Sequence, residues 1–335
     1  MKKVFLSLVA FVFATVCFAQ QTLVATLTHG EEVTMFYGTY AYRDAMAAAV
    51  DGDVINLSGG GFQACTIDKA VSIRGTGVEV EMPTVIINDF DIKISAKSSE
   101  RLSIEGVRFP NRITLKDTLT NAYFLKNYMA GVWGSDNANI KNALFVNCQI
   151  HRYENNVSNY TVSTQFVNSF VNAFSNNHNS NSTASFINCV INPFYDFGGH
   201  YQYICNSALL NCILVYHEQS GYGMNSLPST SFASNCLSVT NYTYGGDAFA
   251  NVAAGVNNKN IKDFAIFTDS DVMKDLTDEA KATYLGSDGT PVGMYGGTLP
   301  FSFTPTYPQI TKMNVASKTT ADGKLSVDIE VSAAQ

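Results

Sequence analysis

The chain has 335 residues, of which 15% are charged, and 28 acidic against 21 basic side chains give a formal net charge of −7. An acidic chain without basic runs is a poor candidate for binding nucleic acid or anionic membranes. Few charges together with abundant Gly, Asn, Ser and Thr favour a β-rich protein over a helical one.

Residues 1–19 have the features of a Sec-type signal peptide. Lys2 and Lys3 precede an apolar run, Val4 to Val16, and a small-x-small signal ends at Ala19. We expect cleavage after Ala19 and a secreted, periplasmic or cell-surface bacterial protein. A lipoprotein anchor at Cys17 is the weaker alternative, because the residue before it is not small. Neither this run nor any later one reaches the ~20 apolar residues of a membrane span.

The first elements of the mature chain are predicted within residues 20–50. Thr22 to Thr28 and Glu32 to Tyr37 flank a His-Gly turn and could form a hairpin or two separate strands. Tyr40 to Val50 consists largely of strong helix formers and ends before Asp51-Gly52, which predicts a short helix. Short alternating runs follow, among them Gly52 to Leu57 and Leu102 to Val107, and predict the first of many short strands.

One motif recurs along the middle of the chain: an apolar residue, a second small or apolar residue, Asn, and Cys or Ser. Its copies are Phe145–Cys148, Phe166–Ser169, Phe186–Cys189, Leu209–Cys212 and, more loosely, Ala233–Cys236, with Phe124 to Asn127 read as an earlier copy carrying one inserted residue. The asparagines are 20 to 24 residues apart, which indicates a fixed core with loops of variable length. Leucine-rich repeats share this period but need more leucine, so three short strands per coil of a parallel β-helix fit better.

Each position of the motif has a physical reason. The apolar residues point inward and stack on their counterparts about 4.8 Å away in the next coil. Asparagine tolerates the left-handed backbone of a bend, and its amide can bond to the next amide along the axis. We therefore predict a structural asparagine ladder, formed by Asn127, Asn147, Asn168, Asn188, Asn211 and Asn235.

Six cysteines remain once Cys17 is removed, so disulfides are possible in an exported protein. Parallel stacked side chains rarely offer the torsion of a disulfide, and we expect buried free thiols in the Cys column of the motif. A Cys189–Cys212 or a Cys212–Cys236 bridge is the alternative. Cys65 and Cys205 lie off the column and receive no assignment.

The predicted organisation is therefore a β-helix over residues 51–270, preceded by strands and a capping helix in residues 20–50. The helix would cover the apolar end and unpaired backbone of the first coil. Residues 271–335 are predicted to form a C-terminal cap or a small strand module. They contain a possible helix, Lys274 to Tyr284, and two alternating strands, Thr311 to Ala316 and Leu325 to Val331.

Two segments carry a family resemblance. Asp44 to Ala49, followed by Gly52 to Leu57 and Ile73-Arg74-Gly75, resembles the opening of pectate-lyase-like, right-handed parallel β-helix proteins. Asp288 to Gly297 is similar to the closing segment of secreted β-helix proteins of Bacteroidetes. The resemblance implies an all-β, right-handed parallel β-helix. It says less about function, because the superfamily includes polysaccharide lyases, glycoside hydrolases, epimerases and adhesins.

The residues that such enzymes use are hard to find here. Pectate lyases hold calcium with clustered carboxylates and use an arginine base, whereas the repeats have no Asp-x-Asp-Asp cluster and Arg152 is the only arginine after Arg112. Glu154 and Glu218 each follow a ladder asparagine by seven residues, but three coils separate them by about 14 Å. That exceeds the spacing of a glycosidase pair. We predict no metal site and no cofactor.

Tyrosines interleaved with Asn, Ser and Gly between Tyr195 and Tyr244 suggest a face for sugar recognition, although several could simply pack in loops. The candidate ligand-binding residues are Glu154, Tyr195, Asp196, His200, Tyr216, His217 and Glu218. Solvated side chains on an outward strand are the plainer interpretation of these residues. We expect an exported β-helix protein that binds a polysaccharide, a cell-surface glycan or another surface partner without catalysis, or that has a structural role in the envelope. The alternative is a polysaccharide-degrading lyase or glycoside hydrolase.

Overall fold

The computed structural model describes residues 23–94, 99–135, 138–154, 161–175, 182–193, 204, 206–216, 227–240, 247–252, 255–270, 272–315, 322–324 and 327–332. The chain is a parallel β-solenoid with few helices, which confirms the predicted fold class. No helix within these ranges is long and apolar enough to cross a bilayer.

Two long sheets form the walls of the solenoid. The first contains, in spatial order, β2 (Glu32–Tyr37), β1 (Val24–His29), β3 (Val54–Leu57), β5 (Ser72–Arg74), β8 (Ser103–Glu105), β11 (Tyr123–Leu125), β14 (Leu144–Val146), β18 (Thr164–Val167), β20 (Ala184–Ile187), β22 (Ser207–Leu210) and β24 (Phe232–Ser234). From β3 onward every pair in this sheet is parallel and in register.

The second sheet also runs the length of the solenoid. Its order is β26 (Lys259–Ile261), β25 (Leu237–Thr240), β23 (Ile213–Tyr216), β21 (Val190–Pro193), β19 (Phe170–Ser175), β15 (Gln149–Ile150), β12 (Tyr128–Gly134), β9 (Val107–Leu115), β6 (Thr84–Ile87) and β4 (Gly60–Gln63), with β16 (Tyr153–Glu154) beside β12 and β19, and β7 (Phe90–Ile92) beside β9. A short third wall consists of β10 (Leu119–Thr120), β13 (Ile140–Lys141) and β17 (Thr161–Val162).

Aromatic rings stack along the interior. Phe124, Phe145, Phe166 and Phe186 occupy one inward position in four successive coils, with centroids 4.7 to 4.9 Å apart and ring planes within 10° of parallel. Parallel pairing in register brings like residues together at the strand spacing. Each such aromatic pair stabilises the fold by about 0.5–1.5 kcal/mol beyond the effect of the apolar area that it buries. The column continues into Leu209 and Ala233.

The N-terminal cap is formed by β1, β2 and helix α1 (Ala41–Ala48). β1 pairs antiparallel with β2 on one side and with β3 on the other, so the predicted hairpin extends the first sheet. Ala41, Tyr42, Ala45 and Met46 are the buried face of α1. At the junction His29 Nδ1 lies 2.7 Å from Asp53 Oδ1, and Asp53 also accepts the backbone N–H of Val50.

Five of the six ladder asparagines occupy the bend between the two sheets. Their φ angles lie between 45° and 56°, in the left-handed region that asparagine tolerates: Asn147, Asn168, Asn188, Asn211 and Asn235. Axial amide bonds are present where Asn211 Nδ2 donates to Asn188 Oδ1 at 3.3 Å and where Asn257 Nδ2, in the coil after the predicted ladder, donates to Asn235 Oδ1 at 3.2 Å. Asn168 instead donates to backbone carbonyls of the C-terminal segment.

The prediction was wrong at Asn127. Phe124 pairs with Phe145 and Leu125 with Val146, so no residue is inserted. Lys126 takes the bend, with φ of 56°, and Asn127 takes the position of Cys148. There the fully buried amide accepts the Val107 N–H at 3.0 Å and donates to the Ile104 carbonyl at 2.7 Å.

The column that contains Asn127 continues through Cys148, Ser169, Cys189, Cys212 and Cys236. The N–H of each of the four cysteines in this column donates to a side chain of the next coil. Thus Cys148 N–H donates to Ser169 Oγ at 3.1 Å, and Cys212 N–H donates to Cys236 Sγ at 3.5 Å. All four cysteines of this column are free and buried, which confirms the predicted thiols over the alternative bridges. Cys65 is also free, and Cys205 lies outside the described residues.

The C-terminal segment runs along the side of the solenoid. A 3-10 turn (Phe264–Ile266) and helix α2 (Asp278–Thr283) cover an apolar outer face of the second sheet that includes Phe170, Val190 and Ile213. Residues 284–307, here called the strap, then follow the bends in reverse coil order, from Asn211 to Glu105. The predicted terminal strand pair is present as β27 (Gln309–Val315) and β28 (Val327–Ser332).

Candidate functional site

Most of the sequence-predicted ligand residues lie outside the described residues: Tyr195, Asp196, His200, His217 and Glu218. The described backbone places Tyr216 in β23 opposite Thr240, and Glu154 in β16 opposite Trp133. Ligand binding by these residues therefore stays a prediction. Trp133, the partner of Glu154, belongs to a site that was not predicted from the sequence.

That site is the outer face of the second sheet where the C-terminal segment does not cover it. Two rows cross β9, β12 and the segment between β15 and β16. In one row a ring lies between an arginine and a histidine, and in the other a ring lies between two arginines. We call these six residues the basic–aromatic patch: Arg108, Tyr128 and His151 in one row, and Arg112, Trp133 and Arg152 in the other. It contains three of the six arginines of an acidic chain and its only tryptophan.

In the Trp133 row the indole ring lies between two arginines at nearly equal distances. The guanidinium carbon of Arg112 lies 5.9 Å from the indole centroid, and that of Arg152 lies 5.7 Å from it. The indole leans back along β12 over Gly131, where a Cβ would lie 1.9 Å from Cζ3 of the ring. Since Trp133 is only partly buried, this position fixes the ring while leaving surface for a ligand.

The Tyr128 row lies on the other side of a register shift between Met129 and Gly131 in the pairing of β12 with β9. Arg108 stacks on Tyr128 with its guanidinium carbon 4.7 Å from the ring centroid, and the His151 ring lies 5.1 Å away. Gln149 Nε2 lies 2.9 Å from His151 Nε2, and an amide nitrogen at this distance requires the imidazole nitrogen to accept. Burial, together with the nearby Lys274 and Arg108 cations, lowers the pKa of His151 below its ordinary 6.5. The ring is therefore neutral near pH 7.

An open groove of about 580 Å³ borders the Trp133 row on the side of the earlier coils. Asp89 and Asp91 flank Phe90 on its floor, and each lies beside a cation. Asp89 Oδ2 is 3.6 Å from Arg112 Nε, and Asp91 Oδ1 is 3.8 Å from Lys116 Nζ. The groove thus combines a ring, ion-paired carboxylates and hydroxyls, which suits hydrogen bonding to a polar ligand.

The groove also contains Cys65, whose thiol is poorly suited to nucleophilic chemistry. Burial raises its pKa to about 11, although a hydrogen bond from Tyr42 opposes this. The thiolate is the reactive form of cysteine, and it is scarce at neutral pH in this environment. Within the described ranges no group of three or more His, Cys, Asp or Glu side chains could hold a metal ion.

One sequence signal could have located the patch. Trp133 follows the bend residue Lys126 by seven positions, just as Glu154 follows Asn147 by seven. Assigning the bend to Asn127 places Trp133 six positions after it instead of seven, so Trp133 no longer corresponds to Glu154. In a strand, a shift of one residue assigns each side chain to the opposite face.

No family model matches the chain, and neither a curated protein nor a solved structure matches it. The case for a function therefore depends on the patch and the groove beside it.

Proposed function

We propose that this protein is an exported, non-catalytic glycan-binding β-solenoid that holds its ligand on the basic–aromatic patch. The observation that carries the proposal is a pair of partly buried rings on one strand: Tyr128 lies between Arg108 and His151, and Trp133 lies between Arg112 and Arg152. The signal-peptide pattern of residues 1–19 and the resemblance of Asp44 to Leu57 to pectate-lyase-like proteins support an exported role near polysaccharide.

The chemistry of the patch suits sugars. Aromatic faces stack on the apolar faces of sugar rings, while guanidinium and carboxylate groups bond to their hydroxyls. Stacked rings and arginines also bind single-stranded nucleic acid. Two features favour the glycan: the net charge of −7 opposes a polyphosphate, and the adjoining groove presents Asp89 and Asp91.

Polysaccharide cleavage is the second candidate, because Asp89, directly before β7, and Asp91, within β7, both line the groove. In extended chain the α-carbons of residues two apart are about 7 Å apart, which is compatible with the carboxyl spacing of a glycosidase pair. A general acid, however, needs an apolar enclosure that keeps its proton. Both of these carboxylates lie beside cations, with 57% and 42% of their side chains exposed. The geometry therefore favours binding over catalysis.

The proposal is tested with the mature protein on a glycan array, followed by calorimetry on the strongest ligand and by analysis for cleaved products. Trp133→Ala should weaken binding at least about tenfold, which corresponds to about 1.4 kcal/mol. Phe232→Ala is the matched control, because Phe232 is an exposed ring on the other sheet. Binding that survives Trp133→Ala, or a polymer that is cleaved, contradicts the proposal.

A further inference from the structure

Arg108 differs from the two cations that line the groove. Arg112 and Lys116 each lie within 4 Å of a carboxylate, Asp89 and Asp91 respectively. Arg108 is exposed, and its guanidinium stacks on Tyr128. In the part of the chain that the structure describes, no carboxylate lies within ion-pair distance of it. Its five N–H donors are therefore available to an anion that the chain does not supply.

A second cation lies beyond the other end of this row. Lys274 belongs to the C-terminal segment, and its Nζ lies 4.9 Å from the centroid of Phe170 on β19. Phe170 follows Gln149 in the outward column that begins with Arg108 and Tyr128. The row therefore runs from Arg108 over Tyr128 to His151, and Lys274 lies beyond its end.

His151 lies in the electrostatic field of both cations, Arg108 and Lys274. Burial lowers the pKa of His151 most, Lys274 and Arg108 lower it further, and no acidic side chain is among the causes of the shift. Glu79 acts on Lys274 from a distance, but in the described part of the chain it does not form an ion pair with it. A net positive potential at this position of an acidic protein favours an anion.

We propose that the Arg108–Tyr128–His151 row is an oxyanion subsite that takes the carboxylate or sulfate group of an acidic glycan, and that Lys274, beyond the end of the row, adds positive charge to the field around it. The inference rests on the proposed function, because it assigns the class of the ligand held on the same patch. Arg108 supplies the planar fork that matches a carboxylate or sulfate, and the Tyr128 ring supports the sugar that bears the acid. Lys274 contributes longer-range attraction for the anion.

The experiment uses the mature protein at low ionic strength and follows the ring resonances of His151 and Tyr128 by NMR. Inorganic sulfate, glucuronate and uncharged glucose are titrated separately, so that the two oxyanions are compared with each other and with a neutral sugar. Sulfate or glucuronate should shift both rings saturably, and glucose should leave the His151 signal unchanged. Arg108→Gln should weaken binding of the anion about tenfold, because a charge-assisted contact is lost.

Arg101→Gln is the matched control, because Arg101 stacks on Tyr123 with nearly the same geometry, 4.8 Å, on the other sheet. It should leave the titration unchanged. The subsite is refuted if neither oxyanion shifts His151, if Arg108→Gln titrates like the wild type, or if a single-stranded oligonucleotide binds this row more tightly than every acidic glycan tested. If the oxyanion shifts persist while the array shows no glycan binding, the subsite stands and the proposed function fails.

Discussion

Gly131 lies beneath Trp133 on β12, and the indole ring fills the space that a side chain at position 131 would need. The orientation of the only tryptophan is therefore set by the absence of a side chain two residues earlier. The indole ring covers the backbone of Gly131 and lies between Arg112 and Arg152.

Gly131→Ala should displace the indole and reduce glycan binding without unfolding the solenoid. A Cβ at 1.9 Å from ring carbon cannot be accommodated unless the ring moves. The measurements are the emission maximum of the single tryptophan and calorimetry with the array ligand. Gly61→Ala, on β4 of the same sheet, has no atom within 4 Å of its new Cβ and is the control. Unchanged emission and affinity in Gly131→Ala would contradict this account of the ring.

Cys212→Ala should destabilise the protein by about 1–3 kcal/mol, the cost of a buried donor left without an acceptor. The Cys189 N–H donates to Cys212 Sγ at 3.5 Å, and alanine has no atom to replace the sulfur. Cys212→Ser should cost less, because Ser169 already fills the same column position and accepts the Cys148 N–H. Urea unfolding of both variants measures the difference. Equal losses would show that the thiol acts only by filling space.

Alkylation should spare Cys148 in the native protein. Burial raises the pKa of this thiol to about 12, so the reactive thiolate is absent at pH 8 and the sulfur is shielded. Mass spectrometry after iodoacetamide treatment, before and after unfolding, should show that Cys148 is modified only in the unfolded chain. Modification in the native state would require an opening of the column that this packing does not allow.

Asn168→Ala should destabilise the protein by more than Asn168→Gly. The side chain donates to the Met294 carbonyl at 2.9 Å and to the Gly296 carbonyl at 2.6 Å, so either substitution loosens the strap. Alanine also meets the strain of a φ of 45°, which adds about 1–2 kcal/mol and which glycine avoids. Thermal unfolding should rank the variants, and limited proteolysis should cleave the strap faster in both. If the two variants melt alike, bend strain is not what selects asparagine here.

The pKa values of His29 and His151 should lie on opposite sides of the ordinary value of 6.5, with His29 above it and His151 below it. The hydrogen bond and charge of Asp53 raise the pKa of His29, so its contribution to stability is present below pH 6.5 and is lost as pH rises through the raised pKa. Its side chain is 66% exposed, so that contribution is small. Burial and two cations lower the pKa of His151, so stability falls as pH drops below 6.5. NMR titration of the wild type and Asp53→Asn tests both, since only His29 should return toward 6.5.

The repeat period of 20 to 24 residues, the inward Phe positions and the asparagine bends determined the fold from the sequence alone. A parallel solenoid places each residue beside its counterpart one period away, so a one-dimensional pattern specifies contacts at strand spacing. The free thiols followed from the same logic. Asn127 shows the limit of this reading: asparagine is the residue type that suits a bend, yet Lys126, one position earlier, takes it, and only the pairing between β11 and β14 decided the register.

The patch was decided by the tertiary structure. Arg108, Tyr128 and Trp133 belong to coils without a clean copy of the motif, and their outward face becomes a site only because the C-terminal segment covers the later coils and leaves these uncovered. The strap crosses the bends through contacts such as Asn168 to Gly296, which are 128 residues apart in the chain. The periodic pattern encodes neighbours one coil away. It carries no signal for a segment that packs back across many coils, which is why the sequence determined the walls and the structure decided which face remained open.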